Sequence, residues 1–159
     1  MAVLKSRQSQ SPFKVFDYAS EMRRTITNFL LGDFGYSPPL VPNPYESMKQ
    51  RRHRERMVYW FIKKRRDAVD DCMARLIRYI TIANKIYPTC EAELAERRLY
   101  QDKAIGECYV LEQELQYCME VLPVSAKKYF CCADFIAEEI KLIKAWRKSD
   151  NKFKTKIKE

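Results

Sequence analysis

From Tyr45 to Tyr87 the chain carries neither glycine nor proline, and only three glycines occur among its 159 residues. Sandwiches, barrels and dinucleotide-binding α/β folds need residues at positive φ in many of their turns. A chain with three glycines and few Asn-Gly or Asp-Gly turns cannot furnish them. A helix through the uninterrupted stretch would run about forty residues, near 60 Å at about 1.5 Å per residue. The fold class that follows is all-α.

The apolar rhythm divides the chain into four helices. Ser11 and Pro12 have the form of an N-cap and first turn, and Phe16, Ala19, Met22, Ile26, Phe29 and Leu30 recur at helical steps, which predicts a first helix over 12–31. Residues 1–11 are polar and expected to be disordered. The segment GDFGYSPPLVPNPY, 32–45, holds four of the seven prolines and is expected to be a Pro-rich loop of a length usually reserved for function. A long second helix follows over 46–86, with Val69, Met73, Leu76, Ile80 and Ala83 as its seam. Pro88 turns the chain and Thr89 is the expected cap of a third helix, 90–122, whose face is Leu94, Gln101, Ala104, Cys108, Leu111, Leu115, Cys118 and Leu122. After Pro123, Ser125 opens a fourth helix over 125–148 with Tyr129, Cys132, Ile136, Ile140 and Ile143 inward and Trp146 closing it. The short connections at 87–89 and 123–125 imply an antiparallel four-helix bundle over 12–149, followed by a basic flexible tail, 150–159, poor in core residues.

Thirty Lys and Arg against 21 Asp and Glu give a net charge of +9, which favours polyanionic partners. The charge is polarised along the chain. Between Glu46 and Arg66 stand nine basic residues and two acids, and from Lys141 to Glu159 eight basic residues and two acids. Residues 91–121 reverse the sign, with eight acids against Arg97, Arg98 and Lys103.

The usual catalytic constellations cannot be assembled from one His, with no G-x-S-x-G, no phosphate-cradling Gly loop and no H-E-x-x-H. Glu112 and Glu114 lack the E-x-x-H partner of a di-iron bundle, and the six cysteines form no C-x-x-C. Neither enzymatic activity nor a cofactor or metal is therefore expected. Several cysteines fall on apolar helical positions, where a thiol behaves as a small hydrophobe. The first residues form no continuous apolar leader and no stretch approaches the ~20 apolar residues of a membrane span, so no membrane partner and a reducing, cytoplasmic location are expected.

What remains is RRHRERMVYWFIKKRR, 51–66, where basic residues flank an apolar and aromatic centre with one Glu. An ordinary solvated helix mixes signs for i,i+4 support, and this one does not. A membrane-surface helix would show a clean apolar face, whereas 47–56 has almost no apolar residue besides Met48. Guanidinium groups suit phosphate through bidentate donation. The candidate nucleic-acid-binding residues are Lys49, Arg51, Arg52, Arg54, Arg56, Lys63, Lys64, Arg65 and Arg66, with Lys144, Arg147 and Lys148 from the second basic segment. Arg52, Arg56, Lys63 and Arg66 are expected on one side, and the apolar seam to begin at Met57. Tyr59 and Trp60 have two readings, stacking on bases or filling core, of which core is the expectation.

The run AERRLYQDKAIGECYVLEQELQYCMEVLPV, followed by a helix ending IKLIKAWRKSDNK, resembles the accessory variability determinant family, the small basic four-helix proteins that accompany diversity-generating retroelements. The resemblance covers roughly residues 57–150 and lies in helix pattern, charge and local wording. It implies a non-enzymatic partner of a retroelement reverse transcriptase, assembled as a ring of bundles, a pentamer, whose basic surface binds RNA or DNA during mutagenic copying. Abundant aromatic side chains independently favour a homo-oligomer. The alternative, from a different class, is a structural or interaction bundle of a phage or mobile element with no affinity for nucleic acid.

Overall fold

The computed structural model of the chain describes residues 13–41 and 43–158. The expected cap at Ser11 and Pro12 and the segment 1–11 lie outside the described residues. Among the described residues five α-helices follow one another: α1 (Lys14–Leu31), α2 (Met48–Lys85), α3 (Glu91–Val121), α4 (Ala126–Ser149) and α5 (Asn151–Lys158). A 3-10 turn at Asp33–Gly35 follows α1, and no strand occurs among the described residues. Helices α1 to α4 pack against one another as a bundle, α1 touching α2 and α4, and α3 touching α2 and α4.

α2 runs unbroken for 38 residues, about 57 Å. It starts at a capping box: the Ser47 hydroxyl accepts from the Gln50 amide N–H, and the Gln50 side-chain carbonyl accepts from the Ser47 N–H at 2.9 Å. The seam expected along its C-terminal half is the observed one, with Val69, Met73, Leu76, Ile80 and Ala83 all buried. On α3 every expected face residue from Leu94 to Cys118 is buried, as is Leu122 just past its end, and on α4 likewise Tyr129, Cys132, Ile136, Ile140 and Ile143. α1 contributes Val15, Ala19, Met22, Ile26 and Leu30. Four of the six cysteines, Cys72, Cys108, Cys118 and Cys132, sit in this core as free thiols. Burial pushes the Cys118 thiol up to about 12 and Cys132 to about 11, so both stay protonated and serve as packing atoms.

The turn after α1 takes Asp33, Phe34 and Gly35 through positive φ, at 50°, 57° and 76°. Such a conformation is unfavourable for a Phe. Complete burial of the Phe34 ring, edge-on to Phe29 at a centroid distance of 5.7 Å, offsets that cost.

Two expectations at helix ends are corrected. Thr89 does not occupy the cap position of α3, which falls on Cys90; the Thr89 N–H and hydroxyl instead donate to the Glu93 carboxylate at 2.7 and 2.6 Å. Residues 150–158, expected as a flexible tail poor in core residues, hold buried Asp150 followed by helix α5, and the Phe153 ring is buried edge-on to Tyr87 at 5.4 Å.

That end of the bundle is organised by a buried cation. Arg97 donates to both Asp150 carboxylate oxygens at 2.7 and 3.2 Å and to the carbonyls of Ala83 and Ile86 at 3.0 and 2.7 Å. The Ala83 carbonyl in the last turn of α2 and the carbonyl of its C-cap Ile86 are thereby satisfied. Gln101 adds a third donor to Asp150 at 2.8 Å, and the Trp146 ring lies 5.0 Å from the Arg97 guanidinium carbon. A second buried ionisable group has no such partners: Glu139 of α4 is fully buried, and neither carboxylate oxygen meets a hydrogen-bond donor.

Candidate nucleic-acid interface

The position of the basic helix follows from where the core stops. Arg65 pairs with Glu114 of α3 at 2.9 Å, Arg75 with Glu107 at 2.9 Å, and the Phe61 ring meets Tyr117 at 5.7 Å. N-terminal to this level no residue of α2 is buried; the first is Ile62. Met48–Met57 therefore runs about 15 Å with no residue packed against the core. One flank of it carries the loop after the turn, where Tyr36, Pro38, Pro39 and Val41 line a small hollow with Arg51, Arg54 and Glu55.

This arrangement sorts the nine basic residues of 49–66 into two sets. Arg51 pairs with Glu55 at 2.9 Å, Arg54 forms a two-pronged pair with Glu46 at 2.9 Å on each arm, Arg65 pairs with Glu114, and Arg66 pairs with Asp33. The Glu46 hydrogen bond raises the Arg54 guanidinium further above its ordinary value. Lys49, Arg52, Arg56, Lys63 and Lys64 are exposed and make no ion pair among the described residues. Lys49, Arg52, Arg56 and Lys63 follow one another at steps of three, four and seven, which places them on one stripe of the helix. Met48, Lys49, Arg52, Glu55, Arg56 and Tyr59 line one shallow surface hollow there. Arg66, expected on the same side, is half-buried against Asp33 instead.

Tyr59 and Trp60, expected in the core, are 65% and 53% exposed, and Met57, expected to begin the seam, is 48% exposed. The physical reason is register. Stepping back from Val69 by seven and then four gives Ile62 and Val58, which are buried and half-buried, so their neighbours Tyr59 and Trp60 turn outward beside the cations.

The second basic segment is not brought to this stripe. Arg147 pairs with Asp102 at 3.0 Å and Lys144 donates to the Tyr109 hydroxyl at 3.3 Å, both on α3, while Lys148 is exposed with no ion pair among the described residues. Asp102 lies twelve residues, about 18 Å, along α3 from the Glu114 that marks the base of the exposed stretch.

Sequence patterning missed three of the carboxylates that divide the cations. Only the i,i+4 pair Arg51–Glu55 has a local signature. Asp33, Glu46 and Glu114 reach α2 through the loop and the bundle, contacts that no local spacing encodes. Among the described residues no group of three or more His, Cys, Asp or Glu is placed to hold a metal ion, and no helix is long and apolar enough to cross a membrane. The comparisons with protein-family models, curated proteins and solved structures give no match to this chain.

Proposed function

We propose that the chain is a non-catalytic nucleic-acid-binding protein that grips phosphates with the outward stripe Lys49, Arg52, Arg56 and Lys63. One observation carries this reading: of the nine basic residues in the stretch, the five without a carboxylate partner among the described residues are all exposed, and four share one stripe. A helix kept charged only for solubility gains nothing from segregating its unneutralised cations in this way. Phosphate contacts of this kind fix position without reading sequence, so binding is sequence-tolerant.

The resemblance over residues 57–150 extends the proposal to a partner and a setting: association with a retroelement reverse transcriptase and its RNA template in the cytoplasm, with RNA or DNA as ligand and a homo-oligomer, a pentamer, as the assembly. An antiparallel bundle fits that reading. It is supported by the pairs Arg65–Glu114 and Arg75–Glu107 between α2 and α3, and by Arg23–Asp70 with Asp33–Arg66 between α1 with its following turn and α2, in which one number rises as the other falls. The Pro-rich loop then acts as the strap along the paired flank of α2.

Replacing Lys49, Arg52, Arg56 and Lys63 together with Gln is expected to leave the helical content unchanged and to weaken polynucleotide binding strongly. The slope of log affinity against log salt should shrink by up to about 3.6 on duplex DNA, or about 2.8 on single strands, at about 0.9 or 0.7 per lost phosphate contact. Arg51→Gln with Arg54→Gln, which touches only cations already held by carboxylates, should reduce it less. Unchanged affinity and salt slope in the fourfold variant would reject nucleic acid as the ligand and favour an interaction bundle.

A further inference from the structure

We infer that the polynucleotide is taken as a single strand, with unpaired bases stacking on Trp60 and Tyr59 while the flanking cations hold its phosphates. The inference rests on the nucleic-acid reading above and names the substrate class. Two large aromatic side chains side by side in water are a costly surface unless something covers them. Other aromatics of the bundle show what an occupied ring looks like. Phe61, on the core side of the same turn, meets Tyr117, and the Arg65 guanidinium lies over both rings at 5.8 and 5.7 Å. Trp146, the other tryptophan, is packed edge-on to Phe13 at 4.8 Å and faces Arg97. Tyr59 and Trp60 have no aromatic, cationic or hydrogen-bonding partner among the described residues, and are more than half exposed.

Position on the helix decides what would cover them. Arg56 and Lys63 each lie three or four residues from both rings, so every neighbouring side chain on this face is within one helical turn of a cation without a carboxylate. An apolar partner surface would have to desolvate those cations, and a membrane surface would need an apolar face that 48–56 lacks. An intact duplex satisfies the cations through its phosphates but keeps its base faces stacked inside, leaving the rings unused. A single strand offers both, since every unpaired base has a free π-face and every nucleotide a phosphate.

The test uses the full chain carrying Trp146→Phe, so that Trp60 is the sole tryptophan, and three probes of equal length: oligo(dT), oligo(U) and a DNA duplex. Oligo(dT) and oligo(U) should quench Trp60 fluorescence on binding, and the duplex should bind without that quench. Trp60→Ala should weaken single-strand binding about 5- to 100-fold, the size of one lost base stack, with duplex affinity and all salt slopes unchanged. Trp60→Phe, which keeps a π-face, should retain most of the affinity. An equal loss on single and double strands, or no loss on either while the fourfold Gln variant still loses both, would overturn stacking and leave the phosphate grip standing. Trp60 fluorescence responding to vesicles containing phosphatidylserine but to no oligonucleotide would overturn both readings in favour of a membrane surface.

Discussion

Glu139→Met is expected to stabilise the protein by roughly 3–5 kcal/mol more above pH 8 than below pH 4.5. The carboxyl is fully buried without a donor on either oxygen, and burial pushes it up from 4.5 to about 8. The charged groups around it give no relief. Its field reaches the buried Cys108 thiol on α3 and the Tyr18 phenol on α1, and neither carries a positive charge to set against it. The sign follows from proton binding. Between pH 4.5 and 8 the folded chain holds a proton on Glu139 that the unfolded chain has released, so stability falls as pH rises through that window and levels off beyond it. Met has similar length, no charge and an adaptable thioether, and removes the slope. Thermal unfolding from pH 5 to pH 9 reads the effect as a gap between variant and parent that widens on the order of 10 °C by pH 9. Glu139→Gln should remove the slope too, but with less net stabilisation, because a buried amide still lacks partners. Parallel pH profiles for parent and Met variant would show that the carboxyl finds a donor in solution.

The same side chain shows how much of the molecule was legible in its sequence. Glu139 lies three residues after Ile136 and four before Ile143, both in the expected face of the fourth helix, so the apolar period itself marks position 139 as buried. Arg97 likewise lies three after Leu94 and four before Gln101. Reading the period only through its apolar members finds the four helices nearly to the residue and passes over the charged members of the same stripe. The capping box that begins α2 was also written in the sequence, as Ser47-Met48-Lys49-Gln50. The candidate interface was legible as a cluster of cations but not as a surface. Which of the nine are neutralised depends on Asp33 from the turn and Glu114 from α3, and these meet α2 only once the bundle has formed. Three of the eight acids of α3, Glu114, Glu107 and Asp102, are spent inside the molecule, on Arg65, Arg75 and Arg147. Charge polarity along the chain thus becomes a bundle whose interhelical ion pairs stop where its core stops, leaving the first turns of α2 with most of the unneutralised cations of the stretch.

Arg97→Met is expected to be the most damaging single change in the chain, costing about 3–5 kcal/mol. It removes five features of one junction at once: two hydrogen bonds to Asp150, one each to the Ala83 and Ile86 carbonyls, and the cation facing Trp146. Asp150 is 1% exposed, so its carboxylate would be left buried with Gln101 as its remaining donor. The end of α2 and the start of α5 would lose their common anchor, and deleting 150–159 should destabilise the bundle for the same reason rather than merely trim a basic tail. Adding Asp150→Leu to Arg97→Met distinguishes a buried-charge penalty from simple loss of packing. If the penalty dominates, the double variant recovers part of the lost stability, because no uncompensated carboxylate remains, although the Ala83 and Ile86 carbonyls stay unpaired. Chemical denaturation of the parent, both single variants and the double variant closes the cycle. A double variant as unstable as the sum of its two single changes would show that Arg97 and Asp150 act independently, and that the junction is held by packing of Trp146 and Phe153 instead.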